Sequence, residues 1–318
     1  MKQPKTDITH TGYQRVFRPQ TLTFGLIAPL KGYADSPFPD MSDHEQLVKK
    51  ADEIGLDAIW LRDVPFYDPG FSDVGQLYDP MVYAGWLAAI TKNITIGTAG
   101  VVLPLRNSLL VAKQAISLDH LTNGRFILGI AGGDRPAEYP VFGIDYDNRA
   151  VRFRDAVDLI KAVIYQNFPV HQSNSFGQLT GNLDMIPKLK SEHLPIINIG
   201  RAKQNLSWIA NNTDGWIWHG PQSRMVDEVM DMWRRKNEGQ FNPYGYASFF
   251  DLSVNPEAPV ERSGNVLTGG RKALIDHWQM QRDQGLSHMV MNLKPTHRNS
   301  NEILDEFGEY ILPVFKNN

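Results

Sequence analysis

Four short clusters in this chain of 318 residues have the residue types and spacing to do chemistry. Gly200-Arg201-Ala202 follows an apolar run directly and leads into a helix that the spacing starts near Lys203. Free amides at a helix N-terminus attract phosphate, a glycine permits close approach, and Arg201 or Lys203 adds charge. The same glycine could serve only to turn the chain. Arg62-Asp63 ends another apolar run, where Asp63 could orient a ligand or a water, or pair with Arg62 or Arg135. Gly129, Gly132 and Gly133 precede Asp134-Arg135 but lack the spacing of a dinucleotide fingerprint. Such small residues allow close backbone approach to something planar or bulky, or else a tight turn. His219, beside Trp218 at the end of a run, is the histidine best placed to donate a proton. A hydrogen bond within its loop is the plainer role.

Other chemistries find no support. The nine histidines show no HxH or HExxH spacing and cysteine is absent, so no metal site is expected. A G-x-S-x-G elbow and a P-loop are also missing. The formal net charge of −3 argues against nucleic acid or an anionic membrane as the main partner. No run of about 18 apolar residues offers a membrane span, and residues 1–20 do not resemble a secretory signal. A cytoplasmic location is the expectation that fits.

The elements that must position these residues alternate along the chain. Eight apolar runs read as strands: Leu22 to Ala28, Asp57 to Leu61, Ile94 to Thr98, Phe126 to Ile130, Ile196 to Ile199, Asp214 to Trp218, Ala247 to Val254 and His288 to Leu293. Helical spacing separates most of them, as with Val111, Ala115 and Leu118, or Phe153, Val157, Ile160 and Ile164. Ser42 and Glu45 have the spacing of a capping box, and Gly55 suits the stop that follows. Pro80 and Arg271 open further helices, Ser223 reads as a cap, and a final helix covers Glu302 to Pro313. Strand, helix and strand in repetition imply parallel pairing, and eight strands are the count of a (β/α)8 TIM barrel. We read residues 1–318 as one such domain, with an N-terminal arm at 1–20 that is ordered if it packs. An irregular inserted region lies around 167–194. In such a barrel the four clusters fall at the C-terminal ends of strands, where ligands bind. The long aromatic loop after Asp63 would cover that mouth.

From Ile96-Gly97-Thr98-Ala99-Gly100 to Pro104, then through Leu118-Asp119, Thr122, Gly124-Arg125-Phe126 and Phe142-Gly143-Ile144-Asp145, the chain resembles the bacterial-luciferase-like flavin monooxygenases. The likeness resumes at Ile199-Gly200-Arg201-Ala202, Trp208-Ile209-Ala210 and Asp214-Gly215-Trp216. The resemblance implies a TIM barrel, usually a homodimer, that binds reduced FMN supplied by a separate flavin reductase. With O2, such an enzyme oxygenates a small organic substrate. The resemblance also implies a non-proline cis peptide at Ala99-Gly100, forming a bulge against the flavin ring. It assigns Ala28, Asp63, Thr98, Ala99, Gly100, Gly132, Gly133 and Asp134 to the cofactor. Gly200, Arg201, Ala202 and Gln204 match the family's phosphate loop. Arg62, Asp63 and His219 are then the candidates at the reacting end. The family's light reaction uses a histidine after the second strand. Arg62-Asp63-Val64 stands there instead, so light emission is not expected. Two alternatives are hydride transfer with a deazaflavin coenzyme and flavin binding without catalysis.

Overall fold

The computed structural model describes residues 5–71, 73–219, 223–237 and 240–316. Eight strands pair in parallel and close on themselves: β1 Thr23–Ile27, β2 Ala58–Leu61, β3 Thr95–Thr98, β4 Phe126–Ala131, β5 Ile196–Ile199, β6 Gly215–His219, β7 Tyr244–Leu252 and β8 His288–Asn292. Each pairs with the next, and β8 returns to β1 through Thr23↔His288 and Gly25↔Val290. The chain is therefore a (β/α)8 barrel. Its outer helices are α1 His44–Glu53, α2 Pro80–Ile90, α3 Ser108–Leu121, α4 Arg149–Tyr165, α5 Leu206–Asn212, α6 Ser223–Lys236, α7 Arg271–Asp283 and α8 Ser300–Glu306. Among the described residues no helix is long and apolar enough to cross a membrane.

Alternation along each strand divides the core in two. Phe24, Leu26, Ile59, Ile96, Leu128 and Met289 face outward and pack under the helices. Ile27, Ala58, Trp60, Ile127, Ile197, Ile217 and Val290 fill the interior. Trp60 lies across that interior because its neighbours are glycines. A Cβ on Gly25 would sit 2.7 Å from its Nε1, and one on Gly97 would overlap its ring. Trp60 Nε1 donates to Nε2 of His288 at 2.9 Å, and Nδ1 of His288 lies 2.7 Å from Thr23 Oγ1.

The arm packs against the N-terminal end of the barrel. Gly12 N donates to Gly124 O at 2.8 Å and Tyr13 OH to Asp214 O at 3.0 Å, while Val16 and Phe17 join the interior cluster. His10 Nε2 lies 3.1 Å from Asp119 Oδ1, both side chains fully buried.

Several local expectations need correction. Ser42 forms no capping box. Its Oγ donates to Asp40 and Asp43, and α1 begins at His44 with no side-chain cap. Gly55 does end α1, at φ +80°, with Leu56 N bonded to Ala51 O and Gly55 N to Asp52 O. Ser223 opens α6, but its side chain lies outside the described residues. Within 167–194 the chain is not wholly irregular: Val170–Ser173 and Gly177–Thr180 form an antiparallel hairpin. α5 starts at Leu206 rather than near Lys203, because Ala202 and Lys203 adopt φ +44° and +53° and Asn205 caps Trp208 N at 2.8 Å. The last helical segment continues through a π turn at Phe307–Ile311 to Lys316. β7 starts three residues before Ala247, where Tyr244 and Gly245 pair with Trp216 and Ile217 of β6 and the Tyr244 ring packs outward under the helices.

Candidate functional site

The loops at the C-terminal ends of the strands enclose two adjoining cavities, of about 380 and about 320 Å³. They share Arg62, Ala99, Asp134, Arg135, Ile199 and Trp218. The larger one sits over the barrel axis, with Ile27, Trp60, Ile217 and Val290 below and Phe71 and Phe249 at its sides. The smaller one extends past Asp63, Gly100 and Gly132-Gly133 to Tyr146, Arg149 and the Gly200–Lys203 loop.

One wall of the smaller cavity is made of small residues in close contact. Ala99-Gly100 is a cis peptide. A Cβ on Gly100 would lie 2.8 Å from Ile199, and one on Gly132 would lie 2.9 Å from Ala202 Cα. Thr98 is fully buried behind this wall, where its Oγ1 donates to Gly129 O at 2.7 Å. Ala28 is likewise fully buried and lines neither cavity. Gln204 is also set back: its Nε2 donates to Ala150 O at 3.0 Å and Ala202 O at 2.9 Å, bracing the loop from outside.

The Gly200–Lys203 loop is held at its first residue. Gly200 N donates to Ile217 O, and Gly200 O accepts from Trp216 Nε1 and Asn198 Nδ2. Gly200, Ala202 and Lys203 all have positive φ. Among the described residues the amides of Arg201, Ala202 and Lys203 find no acceptor, and these residues line the smaller cavity. In the lining of the same cavity, the guanidinium of Arg149 stacks 3.4 Å over the Tyr146 ring. Successive amides in left-handed backbone, with two arginines beside them, make a concavity suited to an anion. The small wall next to it leaves room for a flat ring. Residues and geometry therefore fit a phosphorylated flavin.

Asp63 pairs with neither Arg62 nor Arg135. Both its oxygens are taken by Arg106, and Oδ2 also accepts from Val102 N at 2.9 Å. Arg62 pairs instead with Asp73, from the long loop after β2. Asp73 also accepts from Tyr33 OH at 2.8 Å and Gly75 N at 2.8 Å, and its carbonyl accepts from Arg135 Nη2 at 2.7 Å. Burial pushes the Asp73 carboxyl up, but Arg62, Gly75 N and Tyr33 OH outweigh it and hold it below the usual range. Asp73 thus ties the aromatic loop to groups from β1, β2 and β4. His219 ends β6 and its backbone pairs with Ala247, but its side chain lies outside the described residues.

Residues that spacing did not single out complete the site. Arg106 and Asp73 hold it together, while Glu138, Tyr146 and Arg149 line it. Trp218 stands in the walls of both cavities, stacked on the buried Trp216 at 5.4 Å. The one available signal was position: Glu138, Tyr146 and Arg149 follow the glycine loop after β4.

A parallel barrel with an anion-suited loop beside a flat-walled cavity is the architecture of a ligand-binding enzyme barrel. The profile of the luciferase-like monooxygenases matches residues 22–263, and the chain belongs to that family. It is 27% identical over 179 residues to 4-hydroxyprotoasukamycin monooxygenase of Streptomyces nodosus subsp. asukaensis, spanning 56% of this chain and 47% of that one. The chain thus spans about half the length of that relative. Among solved structures, an F420-dependent secondary alcohol dehydrogenase superposes with a TM-score of 0.73 at 15% identity, over 92% of this chain and 99% of that one. The oxygenating constituent of 3,6-diketocamphane monooxygenase of Pseudomonas putida, in complex with FMN, gives 0.69 at 12% identity, over 93% and 98%. At these identities the two structures establish the fold alone.

Proposed function

We propose that the chain is a flavin-dependent oxidoreductase that binds reduced FMN at the barrel mouth and uses it with O2 to oxygenate a small organic substrate. The observation that carries this reading is the set of amides at Arg201–Lys203, unpartnered among the described residues, that line one cavity with Arg149, Ala99, Gly100, Gly132 and Gly133. When bound, the flavin supplies the electrons and the position at which oxygen reacts. The chain supplies the rest. The amides and arginines hold the phosphate end. The small-residue wall orients the ring, and Asp63 stiffens that wall through Val102 and Arg106 rather than moving a proton itself. Arg62 and Asp73 keep Phe71 and its loop over the larger cavity, which shields the reacting region from water. Arg62 and His219 remain the candidates for hydrogen bonds to the substrate. A homodimer and a separate flavin reductase belong to the same proposal.

Likeness to a deazaflavin-dependent dehydrogenase supports a second reading, hydride transfer without oxygen, because both coenzymes end in a phosphorylated ribityl chain. An anaerobic titration with reduced FMN, oxidised FMN and reduced deazaflavin, followed by admission of air, separates the two. Tight binding of reduced FMN and a slowed return of the oxidised-flavin spectrum are expected. Preference for the deazaflavin with no oxygen reaction would move the chain to the second reading. Binding of none would reduce the Gly200 loop to a turn.

A further inference from the structure

Glu138 stands in the wall of the smaller cavity, at the first turn of the short helix Glu138–Val141. It is only 5% exposed, yet among the described residues its Oε1 is enclosed without a hydrogen-bond donor. No cation lies within ion-pair distance of it among those residues. An ionised carboxylate keeps its charge in such a place only when donors or a cation hold it. The charged groups that act most strongly on it are Arg135, which favours its ionised form, and three carboxylates, Asp63, Asp134 and Asp68, which oppose it. Arg62, Arg149, Arg201 and Lys203 line the same cavity. Asp63 and Asp68 come from the segment after β2, whereas Arg135 and Asp134 share the loop of Glu138 itself. Arg135 is in turn bonded to the carbonyl of Asp73 and stacked 4.6 Å over Phe71, so it is not free to turn fully onto Glu138.

We propose that Glu138 is a binding residue of this cavity that works as a neutral carboxylic acid, donating its hydroxyl proton to an acceptor atom of the bound flavin and admitting an anionic ligand only with that proton in place. This rests on the reading of the cavity as a flavin site. The electrostatics agree: burial, then the three carboxylates against Arg135, push the Glu138 carboxyl up to about 7. Near neutral pH the group then sits between its two forms. Binding of FMN above that point draws one proton from solvent onto Glu138, and no covalent bond is made or broken.

The test is FMN binding to the whole protein between pH 7 and 8.5, by fluorescence titration and by calorimetry in two buffers of different ionisation enthalpy. A phosphate monoester is already almost fully dianionic at pH 8, so proton uptake there reports the protein. Wild-type affinity should fall about tenfold per pH unit above pH 7, with close to one proton taken up at pH 8. Glu138→Gln mimics the neutral acid; it should bind about tenfold more tightly than wild type at pH 8 and show no such slope. A flat wild-type profile without proton uptake, or a Glu138→Gln profile as steep as wild type, would overturn the proposal. Should that variant not fold, proton uptake by the wild type decides alone. Failure to bind either oxidised or reduced FMN at pH 7 would instead remove the FMN reading on which the proposal stands.

Discussion

Arg106 grips Asp63 through two parallel bonds, Nε to Oδ2 at 2.8 Å and Nη2 to Oδ1 at 2.6 Å. The same Nη2 lies 2.6 Å from Oδ2 of Asp79, which caps Met81 N at the start of α2. One guanidinium therefore connects the ends of β2 and β3 to the next helix. Burial works against its charge, but the two carboxylates outweigh that and raise its proton affinity above the usual value.

Removing one partner of this pair should be costly, because the Asp63 side chain is only 3% exposed. Asp63→Ala is expected to lower stability by about 3 kcal/mol, the range for breaking a buried ion pair from one side. Arg106→Lys should recover only part of that, since an ammonium cannot reproduce the fork. Urea unfolding of the three proteins measures this. A change below about 0.5 kcal/mol for Asp63→Ala would show that the pair behaves like a surface bridge.

Gly200 has φ +67°, and a Cβ there would meet nothing within 4 Å. Crowding inside the protein is thus not the obstacle; backbone strain and lost access are. Gly200→Val should cost about 1–2 kcal/mol through the left-handed conformation and weaken FMN binding at least tenfold by filling the phosphate position. Thermal unfolding and flavin titration read the two effects separately. Unchanged affinity in a folded Gly200→Val protein would rule out phosphate binding at this loop.

His288 is fully buried inside the barrel, and burial pushes its pKa from the ordinary 6.5 down to about 3, against the bond with Thr23. Its pKa is depressed on folding, so between these values the unfolded chain binds a proton that the native state refuses. Stability from the neutral imidazole is thus fully present above pH 6.5 and is lost as pH falls toward 3. A His288→Gln protein should be less stable than wild type at pH 7, because Trp60 Nε1 loses a well-placed acceptor. Its deficit should shrink as pH is lowered to 4, as followed by Trp fluorescence in urea. A deficit that stays constant from pH 7 to pH 4 would mean that His288 accepts a proton without unfolding.

Sequence by itself determined the barrel and pointed to loops that line its cavities. Runs such as Phe126 to Ile130 and Ile196 to Ile199 are apolar on both faces, as parallel strands covered on both sides must be. The helical stripe of α4, with Phe153, Val157 and Ile160, was equally plain. The glycine loops after β4 and β5 were visible because backbone conformation and close approach restrict the residue type locally. Only the tertiary structure decided the partners. Asp63 met Arg106, 43 positions away, and Asp73 met Tyr33, Arg62 and Arg135. The enclosure of Glu138 likewise depends on segments from different strands. Loops from successive strands converge only when the barrel closes. Which charge faces which is therefore set by strand order and register around the axis, and no local spacing encodes it.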